Sequence, residues 1–216
     1  MQLEGKNIIF LGDSITEGSG ASCSETCFVN IFQQLSKSIV YNFGKCGTRI
    51  ARQQKPYPIA EFDKNFIDRI DTMPDSADVV VVFGGTNDFG HGDAALGCFD
   101  DRTDNTFYGA CHTLLIKLIA KYPTAEIIIL TPLHRVSEDD TKNAANLPCA
   151  PLKRYVEIEK EVANYYSIPV LDLWSVSGLQ PKNVANHATY FSDDIHPNDN
   201  GHNRIANRLF NFLHTL

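Results

Sequence analysis

Basic residues never gather into a block in this chain. Polyanions are bound through clustered Lys and Arg, so 19 basic against 26 acidic residues, a net charge of −7 and a pI near 5.4 argue against a nucleic-acid partner. A long apolar run is missing too. The stretch 7–11, preceded by Glu4 and Lys6, is too short for a signal-peptide core or a bilayer span, so a cytoplasmic protein without stable membrane insertion is expected. Cys23 and Cys27 stand four apart, but no second Cys/His pair at zinc-ligand spacing accompanies them, and no metal is expected. Without a secretion signal, the six cysteines are expected to stay thiols. No internal repeat, low-complexity tract or linker divides the 216 residues, and 43% hydrophobic content suffices for one sizeable core. The expectation is a single domain over 1–216.

What is present is an alternation. Apolar runs at 7–11, 39–43, 79–83, 126–130 and 169–173 read as strands. Between them, helical spacing appears in Phe28, Ile31, Phe32 and Leu35 (a helix over 25–36), in Phe62, Phe66, Ile67 and Ile70, in Phe107 through Ile119, and in Leu152 through Tyr166. Ile205, Ala206, Leu209, Phe212 and Leu213 add a last helix. Continuous apolar strands alternating with helices predict an α/β fold, with a parallel sheet covered on both faces. Segments 91–105 and 175–194 lack periodicity, as binding loops often do.

The first strand stops abruptly at Gly12-Asp13-Ser14, which sets Ser14 at a strand's C-terminal end, where open α/β sheets bind ligands. Ser14-Ile15-Thr16-Glu17 also has the form of a helix capping box, and from this stretch alone capping and nucleophilic catalysis both stay open. The next two strands end in equally polar turns, Asn42-Phe43-Gly44-Lys45-Cys46-Gly47 and Gly84-Gly85-Thr86-Asn87-Asp88. Parallel strands bring all three turns to one edge, giving a hydroxyl, backbone N–H groups and a side-chain amide, the parts of an acyl-transfer site. A base is available in Asp193-Asp194-Ile195-His196-Pro197, where residues three apart in a tight turn let the Asp193 carboxylate reach the His196 ring. Pro197 suits the first position of the last helix. His91, His112, His187 and His214 read as bystanders, His134 as solvated near the same edge, and His202 as packing or capping within the last helix.

These four blocks, in order from Gly12 to Pro197, resemble the GDSL, or SGNH, hydrolase family. The resemblance implies a three-layer α/β/α sandwich with a five-stranded parallel sheet in the order 2-1-3-4-5, and ester hydrolysis without metal or cofactor. By position it makes Ser14 the nucleophile, His196 the base and Asp193 its orienting carboxylate. The Ser14 and Gly44 backbone N–H groups and the Asn87 amide would form the oxyanion hole. Asp13, Phe89 and Trp174 are candidate substrate contacts. The G-x-S-x-G elbow of α/β-hydrolases is absent. The expected substrate is a small-molecule or carbohydrate-linked carboxylic ester, with lysophospholipase or thioesterase activity as the alternative. From other classes, a non-catalytic binding module on this fold and a flavodoxin-like flavin binder compete.

Overall fold

The computed structural model describes residues 1–56 and 60–216, with the backbone alone for 61 and 62, so the expected packing of Phe62 lies outside the described residues. The elements in order are β1 (Asn7–Gly12), α1 (Ser14–Glu17), α2 (Phe28–Ser36), β2 (Ile39–Gly44), α3 (Phe66–Arg69), β3 (Val79–Phe83), α4 (Thr86–His91), α5 (Phe107–Lys121) and β4 (Glu126–Leu130). Then follow α6 (Leu152–Tyr165), β5 (Val170–Leu171), α7 (Leu173–Val176), α8 (Val184–Tyr190) and α9 (Asp199–Leu213).

All pairings are parallel and the strand order is 2-1-3-4-5, as the resemblance implied. Successive strand side chains point to opposite faces, so each apolar run supplies two cores. Ile9, Leu11, Val80, Val82, Ile127 and Ile129 face the layer of α3, α5 and α6. Ile8, Phe10, Val79, Val81, Ile128 and Leu130 face α2 and α9. The three-layer α/β/α sandwich follows directly from strands buried on both sides.

Register sets the working edge. Gly12 lies beside Gly44 on one side and Phe83 on the other, and Phe83 lies beside Leu130. The turns after β1, β2 and β3 therefore leave the sheet at the same level. Because β1 sits between β2 and β3, the chain reverses direction around it, which opens the crevice where such sheets bind ligands.

Four boundaries differ from the sequence reading. Helix α2 starts at Phe28 rather than 25, because 24–26 form a separate 3₁₀ turn. Strand β5 is only two residues long, since the Asp172 side chain caps Ser175 N–H and turns the chain into α7. Segment 175–194 is not wholly irregular, for it contains α8. Pro197 is not the first residue of the last helix; Asn198 is its N-cap, accepting from Asn200 and Gly201 N–H.

Candidate active site

Asp13 decides what Ser14 does. Its carboxylate accepts from Ile15 N–H at 3.0 Å and so serves as the N-cap of α1, which leaves the Ser14 hydroxyl free of any capping task. The turn is tight enough that a Cβ at Gly12 would lie 2.0 Å from Thr16 Oγ1, so glycine is required there. Burial pushes the Asp13 carboxyl up to about 6, against the Ile15 N–H, His196 and Arg69, which favour its charged form.

Ser14 Oγ lies 3.0 Å from His196 Nε2, across 182 residues of sequence. His196 Nδ1 lies 2.8 Å from Asp193 Oδ2, while Asp193 Oδ1 accepts from Ile195 and His196 N–H, each at 2.7 Å. A carboxylate beside Nδ1 calls for hydrogen on that nitrogen, so Nε2 presents its lone pair to the hydroxyl. For Asp193 itself, partial burial raises the pKa, but the hydrogen bonds from His196 and Ile195 outweigh it and hold the carboxyl below its ordinary value.

The turn after β2 distributes its N–H groups unevenly. Gly44 N–H donates to Asn42 Oδ1 at 2.8 Å, Lys45 N–H to the Gly12 carbonyl at 3.1 Å, Cys46 N–H to Glu17 Oε2 at 2.6 Å and Thr48 N–H to the Lys45 carbonyl at 3.3 Å. In this run only Gly47 N–H has no partner among the described residues; Gly47 takes φ +72°, a left-handed conformation suited to glycine. Gly44, the donor expected from the sequence, is thus already committed to a side chain.

Asn87 Nδ2 donates one hydrogen to the Thr48 carbonyl at 3.0 Å, which draws the Asn87 amide beside the Gly47 turn and leaves its second hydrogen available. Asp88, buried behind it, accepts from Ile50 and Ala51 N–H at 2.9 Å each and fastens that turn to α4. Burial pushes the Asp88 carboxyl up to about 7. On the other side, the Arg69 guanidinium donates to the carbonyls of Phe43 and Gly12 and to Thr48 Oγ1, so one side chain clamps the ends of β1 and β2. Asp88 belongs to the Gly84–Asp88 turn and Arg69 to a helical pattern, and neither sequence context discloses these bonds.

The expected substrate contacts fare differently. Asp13 and Phe89 are both buried, the Asp13 carboxylate capping α1 and the Phe89 ring packed edge-on against Tyr155 with centroids 6.0 Å apart. Half-buried Trp174 packs its ring against His134, with centroids 3.8 Å apart. His134 is not simply solvated, since its Nδ1 also pairs with Glu138 at 2.7 Å. All six cysteines are unpaired thiols. Among the described residues no group of three His, Cys, Asp or Glu is placed to hold a metal, and no helix is long and apolar enough to cross a membrane.

The family model described as GDSL-like Lipase/Acylhydrolase matches residues 10–204. One solved structure is 30% identical with a TM-score of 0.86, the match covering 100% of this chain and 99% of that one. A protein from Lactobacillus plantarum is 28% identical with a TM-score of 0.83, over 99% and 98% of the two chains. A member of the lipolytic protein G-D-S-L family from Veillonella parvula shares the fold at 20% identity, with a TM-score of 0.65 over 97% and 99%. Curated proteins give no match.

Proposed function

Since the chain belongs to the GDSL-like lipase/acylhydrolase family and is a hydrolase of that type, we propose that it hydrolyses carboxylic esters through Ser14, His196 and Asp193. The observation that carries this reading is the unbroken line of contacts from Ser14 Oγ to His196 Nε2 at 3.0 Å and from His196 Nδ1 to Asp193 at 2.8 Å. A serine hydroxyl is a poor nucleophile until a neighbouring base takes its proton.

In the proposed cycle Ser14 Oγ bonds to the ester carbonyl carbon as its proton passes to His196 Nε2. The carbonyl electron pair moves onto oxygen, where the Ser14 and Gly47 N–H groups and the second Asn87 hydrogen receive it. Gly47 replaces Gly44 in this role because its N–H is unspent. The tetrahedral intermediate collapses, the alcohol leaves with the proton from Nε2, and water repeats the sequence on the acyl-enzyme. Asp193 keeps the ring oriented and stabilises its cationic form.

A cleft of about 640 Å³ beside Gly44 and Lys45 is also lined by Asn42, Lys64, Asp68 and Arg69. Phe43, Ala60 and Thr72 add to its walls, which are mixed and include neither Ser14 nor His196; the substrate proposed, a short-acyl ester with an O-acetylated carbohydrate included, follows from the family reading and not from this cleft. Residues 1–216 are proposed to act as one catalytic unit, because nucleophile and base come from its two ends.

The test uses 4-nitrophenyl acetate and a fluorophosphonate probe that labels activated serines. Wild type should turn over the ester and carry the adduct on Ser14, and Ser14→Ala should do neither. Near-wild-type turnover by Ser14→Ala ends the assignment, and a wild type that neither hydrolyses the ester nor takes the label supports a non-catalytic binding module.

A further inference from the structure

Arg135 stands outside the triad yet beside it. It lies on the loop after β4, where Val136 N–H donates to the Asp194 carbonyl at 3.1 Å and ties the loop to the turn of Asp193 and His196. The guanidinium lies across α4. Nη1 is 3.3 Å from the Thr86 carbonyl, Nε donates to Ser137 Oγ at 3.1 Å, and Cζ sits 5.3 Å from the centre of the Phe89 ring. Gly90 leaves it room, for a Cβ there would fall 2.7 Å from Nη1.

Among the described residues no carboxylate comes within ion-pair distance of this guanidinium, and Nη2 donates to nothing. Burial lowers its pKa, and Asp140, Asp193, Asp13 and Asp194 act on it only from longer range. Three of those four, Asp193, Asp13 and Asp194, belong to the Ser14–His196 neighbourhood. Arg135 is half-buried, so its charge carries part of a desolvation cost with no close carboxylate to offset it, and a guanidinium with a free edge is shaped to receive an oxyanion. Arg135 borders a cavity of about 180 Å³ that Ser137, Asp140 and Lys142 also line. Lys142 is exposed and likewise has no ion-pair partner among the described residues.

We propose that this cavity receives a carboxylate borne by the ester substrate, with Arg135 as the specificity-determining residue and Lys142 in support. The inference rests on the esterase reading above. The competing account is that Arg135 only props the Thr86 carbonyl or balances the aspartates of the site; charged and neutral substrates would then suffer alike on its removal.

Two substrate pairs separate these accounts and also show which end of the ester carries the anion. On the alcohol side, 4-carboxyphenyl acetate is compared with 4-carbamoylphenyl acetate. On the acyl side, the 4-nitrophenyl monoester of succinate is compared with that of succinamate. Wild type should prefer the carboxylate in one pair by about tenfold or more in kcat/KM, mainly through KM, the scale of one charge-assisted hydrogen bond. Arg135→Gln should abolish that preference while leaving the neutral partner within about twofold, and Arg135→Lys should restore part of it. Lys142→Gln, a surface change that does not threaten folding, should lower the preference about threefold. Indifference of wild type to charge in both pairs, or an equal loss on both members of a pair in Arg135→Gln, overturns the inference alone. If Arg135→Gln does not fold, an unchanged preference in Lys142→Gln overturns it. Failure of wild type to cleave any of the four esters overturns both readings together.

Discussion

Single hydrogen-bond donors at the Ser14 turn set the sharpest expectations. Asn87→Ala deletes the side-chain donor while the Ser14 and Gly47 N–H groups stay, so kcat should fall by about a hundredfold to a thousandfold with KM little changed. An unchanged kcat in steady-state assays removes Asn87 from the oxyanion hole. The base must be neutral to accept the Ser14 proton, so kcat/KM should fall towards acid pH with the titration of one group. A profile flat into strongly acidic pH contradicts the role given to His196. At this scale the sequence brought forward Ser14, Asn87, Asp193 and His196 as candidates, because each sits in a short block whose residue types suit one chemistry. It did not disclose which glycine keeps its N–H uncommitted. That choice turns on Asn42 Oδ1 folding back 2.8 Å from Gly44 N–H, and a side chain bonding to the backbone two residues on leaves no mark in residue order.

Among the elements, α4 depends most on one buried group. Asp88 binds the 50–51 backbone to the helix that carries Asn87, so its loss should disturb both stability and chemistry. Asp88→Ala strands two buried N–H groups, at about 1–3 kcal/mol each. Denaturant unfolding should show a loss of that order, while Asp88→Asn, which keeps one acceptor, should lose less. A fully stable Asp88→Ala protein would show that the 50–51 segment finds other partners. Element order and type were legible, since runs such as Val79–Phe83 are apolar without interruption and can serve only a strand covered on both faces. The ends were less so. Asp172 ends β5 by capping α7, and α9 begins at Asp199 behind its Asn198 cap rather than at Pro197; capping is a side-chain geometry that composition leaves open among several neighbours.

For the molecule as a whole, buried ionisable groups set how stability responds to pH. Burial holds His91, beside Arg49, down to about 4 and also depresses His202, so the unfolded chain binds more protons and stability rises with pH until the ordinary imidazole range is passed. Asp13 and Asp88, raised to about 6 and about 7, act oppositely over much the same interval, because there the folded chain holds the extra protons. The two pairs therefore act in opposite directions below neutrality. Glu159 on α6 is different. It is 4% exposed, neither carboxylate oxygen has a hydrogen-bond partner among the described residues, and burial raises its pKa well above the ordinary value. Its burial destabilises progressively as pH climbs above the usual glutamate range. Glu159→Gln should accordingly melt close to wild type at low pH and increasingly above it as pH rises; parallel Tm curves would show that Glu159 is not the group responsible.

The distance in sequence between hydroxyl and imidazole has a consequence for biosynthesis. A ribosome places Ser14 in the nascent chain 182 residues before His196, so, on the triad proposed, an emerging polypeptide has the serine but not the base. Any product of premature termination upstream of position 196 should therefore be harmless to cellular esters, and hydrolytic competence should switch on only as the final helix leaves the exit tunnel.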